Sequence, residues 1–206
     1  MEELKKRLRK YFIMGSQNCN RNPVHILKEA IQAGITAFQY REKGEGSLLG
    51  EEKLNLGKQL REMCRESNIL FIVNDDLSLA EQLDADGIHV GQNDCSVEKV
   101  RQRFPNKIIG LSVSNIEEVN QSRIDLVDYL GAGPIFTTTT KEDAKEAVGL
   151  EWIETLRQTI PDIPIVGIGG INENNAHSVI EAGADGVSVI SAITQAKNIH
   201  EVVSRL

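Results

Sequence analysis

Eight times along the chain, a short run rich in β-branched residues gives way to a longer amphipathic stretch, and few folds accept that rhythm. The short runs occupy 11–15, 36–42, 70–75, 87–91, 108–113, 126–133, 164–170 and 186–192. Several are apolar on successive residues, as in Phe71-Ile72-Val73 and Ile165-Val166, the pattern of strands buried on both faces of a parallel sheet. The stretches that follow, at 24–33, 50–67, 77–83, 97–104, 116–123, 150–159, 174–182 and 199–206, read as helices. In the second of them Leu54, Leu56, Leu60, Met63 and Cys64 form a one-sided apolar stripe. Eight β-α repeats predict a single α/β domain, a closed (β/α)8 TIM barrel, with 1–10 as an N-terminal helical extension. A doubly wound open sheet is the runner-up, but it more often carries about five or six strands.

Loop lengths give the barrel a direction. Links from helix to strand are short, whereas the strand-to-helix links 16–23, 43–49 and above all 134–149 are long. Strand-to-helix loops all open on the C-terminal face of such a barrel, where ligands bind.

Composition narrows the partners. A net charge of −7 argues against nonspecific nucleic-acid binding, which needs surplus Lys and Arg. Any anionic ligand must then meet a local cluster of cations. No apolar run reaches the ~20 residues of a bilayer span. The segment Met1-Glu2-Glu3-Leu4-Lys5-Lys6-Arg7 lacks the apolar core of a secretory signal. Three scattered cysteines, Cys19, Cys64 and Cys95, suit reduced thiols, so a cytoplasmic protein without membrane contact is expected.

Chemistry-bearing residues gather at the predicted strand ends. In Gln39-Tyr40-Arg41-Glu42-Lys43 the period of two sends Gln39, Arg41 and Lys43 to one side and Tyr40 and Glu42 to the other. A cation inside a strand needs an anion, either a structural carboxylate or a bound ligand. Asp75 and Asp94 follow the third and fourth strands, and two hard-oxygen ligands suit Mg²⁺ completed by substrate phosphates. Asp76, directly before the next helix, reads instead as its cap, and Asp94 is open to either use. Gly167-Ile168-Gly169-Gly170 and Ser188-Val189-Ile190-Ser191 follow the seventh and eighth strands, the usual phosphate site of such barrels. Thr137-Thr138-Thr139-Thr140-Lys141, in the longest loop, reads as a flap over an anion or as a solvated loop. Ser112 and Ser114 would serve equally as helix caps, His89 reads as a satisfied barrel histidine, and Trp152 reads as packing.

Taken in order, Gln39-x-Arg41-Glu42-Lys43, Asn74-Asp75-Asp76, Asp86-Gly87-Ile88-His89-Val90-Gly91-Gln92-x-Asp94, Gly133-Pro134-Ile135-Phe136 with Thr140-Lys141, and Gly167-Ile168-Gly169-Gly170-Ile171 closely resemble the thiamine phosphate synthase family. The resemblance runs from Tyr11 to about Gln195 and includes the Ala182-Gly183-Ala184-Asp185-Gly186 turn. It implies a transferase that joins hydroxymethylpyrimidine diphosphate to thiazole phosphate, releasing diphosphate by a dissociative route. It further implies that Gln39, Arg41, Lys43, Asn74 and Lys141 contact the pyrimidine diphosphate, and that Ser112 lies beside the reacting pyrimidine. Asp75 and Asp94 would hold Mg²⁺, while Thr138, Thr140, Gly170 and Ser188, Val189, Ile190 and Ser191 would receive the thiazole phosphate. A homo-oligomer is implied by the resemblance alone. Two rival readings are a thiazole tautomerase of the same superfamily, which would need no diphosphate clamp, and a non-catalytic thiamine phosphate-binding regulator. The chain departs from many relatives in its unbroken threonine run and in Val113-Ser114-Asn115, where Ala-His-Thr is frequent.

Overall fold

A computed structural model describes residues 1–138, 140 and 146–206 of the chain. Its eight strands are β1 (Lys10–Met14), β2 (Ala37–Tyr40), β3 (Leu70–Asn74), β4 (Gly87–Val90), β5 (Ile108–Val113), β6 (Tyr129–Ala132), β7 (Ile165–Ile168) and β8 (Gly186–Val189). They pair in parallel in chain order, and β8 closes on β1, so the barrel predicted from the repeat is the fold observed. Around it lie α1 (Glu2–Arg7), α2 (Pro23–Ala33), α3 (Gly50–Glu66), α4 (Leu77–Gln82), α5 (Val97–Arg103), α6 (Ile116–Gln121), α7 (Glu151–Thr159), α8 (Ala176–Glu181), α9 (Ser191–Thr194) and α10 (Ile199–Ser204).

Several boundaries differ by a residue or two from the reading of the sequence, β2 for instance ending at Tyr40, and two differ more. The apolar segment expected to begin the sixth strand is a 3-10 turn at Ile124–Leu126, and pairing starts only at Tyr129. The eighth run does not continue to residue 192, because β8 ends at Val189 and α9 starts at Ser191. Ile124 and Leu126 are only half-buried around an exposed Asp125, and a short run with apolar residues does not by itself distinguish a strand from a tight turn or a helix start.

Helix ends follow local chemistry. Asn22 accepts hydrogen bonds from the Val24 and His25 amides, Pro23 opens α2, and Gly34 closes it at φ +98°. Asp76 caps α4 through the Leu79 amide, as its position suggested. Burial alone would raise the Asp76 carboxyl, but the Lys53 ammonium at 2.8 Å and the capping amide hold it below its ordinary range.

Side chains divide between two cores. Inside the barrel Tyr11, Ile13, Ala37, Leu70, Ile72, Tyr129 and Val166 fill the space, and Leu8, just after α1, closes it from below. The opposite faces of the strands, including Phe12, Phe38, Phe71, Ile88, Ile109, Leu130 and Val187, pack against the helices.

A repeated clasp secures the N-terminal rim. Asp86, Asp128 and Asp185, each immediately before an even-numbered strand, accept the Phe71, Ile109 and Ile165 amides near the start of the preceding strand, at 2.8, 2.8 and 2.9 Å. Arg61 of α3, Arg101 of α5 and Arg157 of α7 donate to the same three carboxylates. In the first quarter Thr36 Oγ1 takes the acceptor's place, receiving the Lys10 amide at 2.9 Å. The chain is therefore four β-α-β-α quarters, each pinned where its strands begin.

Removing Asp185 leaves the Ile165 amide without its side-chain acceptor and takes a charged partner from Arg157, which keeps its carbonyl acceptors, whereas removing the Thr36 hydroxyl frees only the Lys10 amide. Asp185→Ala is expected to cost about 2–3 kcal/mol and Thr36→Val about 1 kcal/mol, read by urea denaturation. Equal costs for the two would show that the charged clasps add nothing over the hydroxyl.

Candidate active site

At the C-terminal ends of the strands lies a cavity of about 610 Å³, walled by the loops after β4, β6, β7 and β8. Beneath it a narrower space of about 80 Å³ enters the barrel between Tyr11, Gln39, Asn74, His89 and Tyr129. Lys43, Asp94, Ser112 and Ser188 line both. Longer strand-to-helix loops had pointed to this face, and both spaces open on it.

The alternation along β2 is as expected. Gln39, Arg41 and Lys43 line the inner space, while Tyr40 turns outward and donates its hydroxyl to the Lys53 carbonyl of α3. Lys43 Nζ lies 2.5 Å from Asp75 Oδ2 and 3.2 Å from Asp94 Oδ1. Burial alone would lower this ammonium, but the hydrogen bond and charge of Asp75, joined by Asp94, carry it above its ordinary value. Asp75 reaches this position from a left-handed backbone, φ +48°, a conformation Asp tolerates better than most residues. Asp75 borders the cavity through Lys43, whereas Asp94 lines it directly and also accepts the Gly91 amide through Oδ2.

Gln17, which the sequence did not single out, and Glu42, to which it gave only an outward direction, hold this cationic strand end. Gln17 donates to the carbonyls of both Arg41 and Lys43, each at 3.0 Å. Glu42 accepts from the amide and hydroxyl of Ser16 and from the Leu48 amide, tying the loop after β2 to the loop after β1. The outward turn of Glu42 was readable from the period of two, but its partners were not.

On the far wall, Thr138, Thr140, Gly170, Ser188, Val189, Ile190 and Ser191 come together. Thr140 Oγ1 lies 3.3 Å from Ser191 Oγ, joining the loop after β6 to the start of α9. The Ile135 and Phe136 amides bond to the carbonyls of Ile168 and Gly169, so the same loop lies along β7. Gly170 has φ +66°, and a Cβ there would stand 2.7 Å from Phe136 Cβ and from the Thr137 carbonyl. Its lack of a side chain is thus needed for loop packing as well as for any close approach by a ligand. Lys141, expected in this flap, lies outside the described residues.

Deeper in the barrel, His89 bonds Tyr129 through Nδ1 at 2.9 Å and Ser112 through Nε2 at 2.8 Å, which makes it the satisfied histidine expected. Ser112 therefore aims its hydroxyl inward instead of capping a helix, and the α6 cap is Asn115. Asn74 lines the inner space. Trp152 is buried and donates to the Val113 carbonyl. The three cysteines are free thiols. Among the described residues no helix is long and apolar enough to cross a membrane.

Comparison with known proteins bears on the family and the fold. Residues 10–193 match the family model described as thiamine monophosphate synthase. The thiamine-phosphate synthase of Oceanobacillus iheyensis is 64% identical over 199 residues, covering 97% of each chain. One from Bacillus cereus is 52% identical over 205 residues, covering 100% of this chain and 94% of its own. Among solved structures, a thiamine phosphate pyrophosphorylase from Pyrococcus furiosus superposes with a TM-score of 0.87 at 35% identity, covering 98% of this chain and 95% of that one.

The loop contacts at Gly170 set a test. Gly170→Ala combines left-handed strain with overlap and should cost about 2–4 kcal/mol in chemical denaturation. Gly34→Ala, at φ +98° with nothing within 4 Å of the added methyl, should cost only about 1 kcal/mol.

Proposed function

The chain belongs to the thiamine monophosphate synthase family, and we propose that its cavity joins hydroxymethylpyrimidine diphosphate to a thiazole phosphate (hydroxyethylthiazole phosphate or its carboxylated form). The products are thiamine phosphate and diphosphate. The observation that carries this reading is Lys43 between Asp75 and Asp94, on the same strand face as Arg41. Cations beside paired carboxylates suit a diphosphate leaving group accompanied by a divalent metal.

The donor set supports Mg²⁺. Both carboxylates reach a single ammonium, so they are close enough to share one cation, and their oxygens are hard ligands. Among the described residues no three His, Cys, Asp or Glu side chains cluster, so substrate oxygens would complete the coordination. When bound, Mg²⁺ supplies positive charge to the departing diphosphate.

The protein's own part follows from charge and alignment. Arg41, Lys43 and Lys141 would neutralise the diphosphate as its C–O bond breaks and the electron pair leaves with it. Gln39, Asn74 and Ser112 would hold the pyrimidine, whose methylene carbon becomes electron-deficient. Thr138, Thr140, Gly170 and the segment from Ser188 through Val189 and Ile190 to Ser191 would hold the thiazole phosphate, aligning its ring nitrogen with that carbon. The nitrogen already carries its lone pair, so forming the C–N bond needs no general base. The ligands are small anions, which the net charge of −7 favours over nucleic acid. Three free thiols suit a cytoplasmic setting.

The test is an assay with both substrates and Mg²⁺ that monitors thiamine phosphate. Absence of product, with tautomerase activity on the thiazole phosphate alone, would overturn the reading. Asp75→Asn keeps a residue tolerant of positive φ and should lower kcat by roughly 10²-fold with the denaturation midpoint little changed. Wild-type turnover in that variant would remove Asp75 from the metal site.

A further inference from the structure

Five polar side chains form one continuous hydrogen-bonded chain through the barrel interior. Gln39 Nε2 donates to Tyr11 Oη at 2.8 Å, and Tyr11 Oη meets Tyr129 Oη at 2.9 Å. Tyr129 Oη meets His89 Nδ1 at 2.9 Å, and His89 Nε2 meets Ser112 Oγ at 2.8 Å. The two ends, Gln39 and Ser112, line the inner space, and the three middle members are buried.

Proton counting orders the whole chain. Tyr11 receives a proton from Gln39, so its own hydroxyl proton goes to its other partner, Tyr129. Tyr129 then accepts from Tyr11 and donates to His89 Nδ1. That nitrogen is therefore unprotonated, and the ring's proton is on Nε2, donated to Ser112 Oγ. A doubly protonated ring would leave a buried phenol proton without an acceptor, at considerable cost. Burial pushes both phenols well above their ordinary range, so neither gives up its proton.

Gln39 sets the direction. Reversing its amide would reverse every bond in the chain. The observed orientation leaves Oε1 for the space it shares with Arg41 and Lys43, where positive charge favours a carbonyl oxygen over an NH₂ group. The fold also makes room for the middle of the chain. Gly110 stands between His89 and Tyr129 in register, and a Cβ there would lie 2.2 Å from the Tyr129 ring and 2.5 Å from His89 Nδ1.

We propose that Tyr11, Tyr129 and His89 are positioning residues that fix Ser112 as a hydrogen-bond donor and Gln39 as an acceptor toward the ligand. This rests on the reading of the cavity as a thiamine phosphate synthase site and deepens it. An aminopyrimidine fits such a pair, since its exocyclic amine donates to Gln39 and an unprotonated ring nitrogen accepts from Ser112. Specificity for that ring is then built from β1, β4 and β6 as well as from the strands that touch it. A ring with the opposite donor and acceptor pattern would meet like groups at both ends.

The ¹⁵N spectrum of histidine-labelled, ligand-free protein tests the proton order without any substrate. The other histidines, His25, His177 and His200, are exposed, and the His89 signals are those missing from His89→Gln. Expected is a protonated Nε2 and an unprotonated Nδ1, and the reverse tautomer would overturn the proposal even if the two-substrate assay succeeds. Tyr129→Phe should mix the tautomers and raise KM for the pyrimidine diphosphate about fivefold to tenfold, with KM for the thiazole phosphate unchanged. Tyr11→Phe should leave the His89 tautomer intact yet still raise the pyrimidine KM, because only the Gln39 end is freed. If both variants keep the wild-type pyrimidine KM, the chain is structural and the proposal falls. A correct tautomer in a protein that makes no thiamine phosphate would uphold the proton order while overturning the functional reading.

Discussion

Closing eight parallel strands on themselves is the constraint on which the rest of this molecule depends. A closed sheet has no edge, so each strand must divide its side chains between a filled interior and a helix-covered exterior. It also brings every strand's C-terminal end to one rim, and there the site is built. The opposite rim carries none of this chemistry and is free to serve stability. Its clasps, Thr36 and the Arg-supported Asp86, Asp128 and Asp185, satisfy amides near the start of the odd-numbered strands. Stability and function thus occupy opposite ends of the same strands.

At the functional rim the decisive physics is charge placed in a partly buried setting. A chain of net charge −7 gathers Arg41 and Lys43 around one space just past the end of β2, and two carboxylates hold Lys43 in place. This cluster balances its own charge, so the proposed diphosphate and its metal would have only to rearrange existing partners. The far wall works differently. There glycines and hydroxyls would let backbone and side-chain donors approach the proposed anion without a formal charge of their own among the described residues.

Much of this was legible from local pattern. The run Gln39 to Lys43 declared its two faces because alternation is a property of the strand itself. Asp76 declared itself a cap by sitting next to Leu77, and the resemblance named Ser112 and Asn74 before any coordinate did. Less legible were the boundaries at Ile124–Leu126 and after Val189, where a 3-10 turn and a helix start carry apolar residues that look like strand. Gln17 and the partners of Glu42 were missed because these contacts lie across a loop junction. The pairing of Tyr11 with Tyr129 joins residues 118 positions apart, and no local period encodes such a contact.

By itself the sequence determined the number of β-α units, the face on which the site opens and the kinds of group that line it. These follow from hydrophobic period, loop length and residue type, each read within a few residues of chain. Only the tertiary structure decided which carboxylates share Lys43, which amides the rim clasps catch, and that a polar chain from Gln39 to Ser112 crosses the barrel. Those depend on register between strands distant in sequence. Register is set when the barrel closes and its interior packs as one unit.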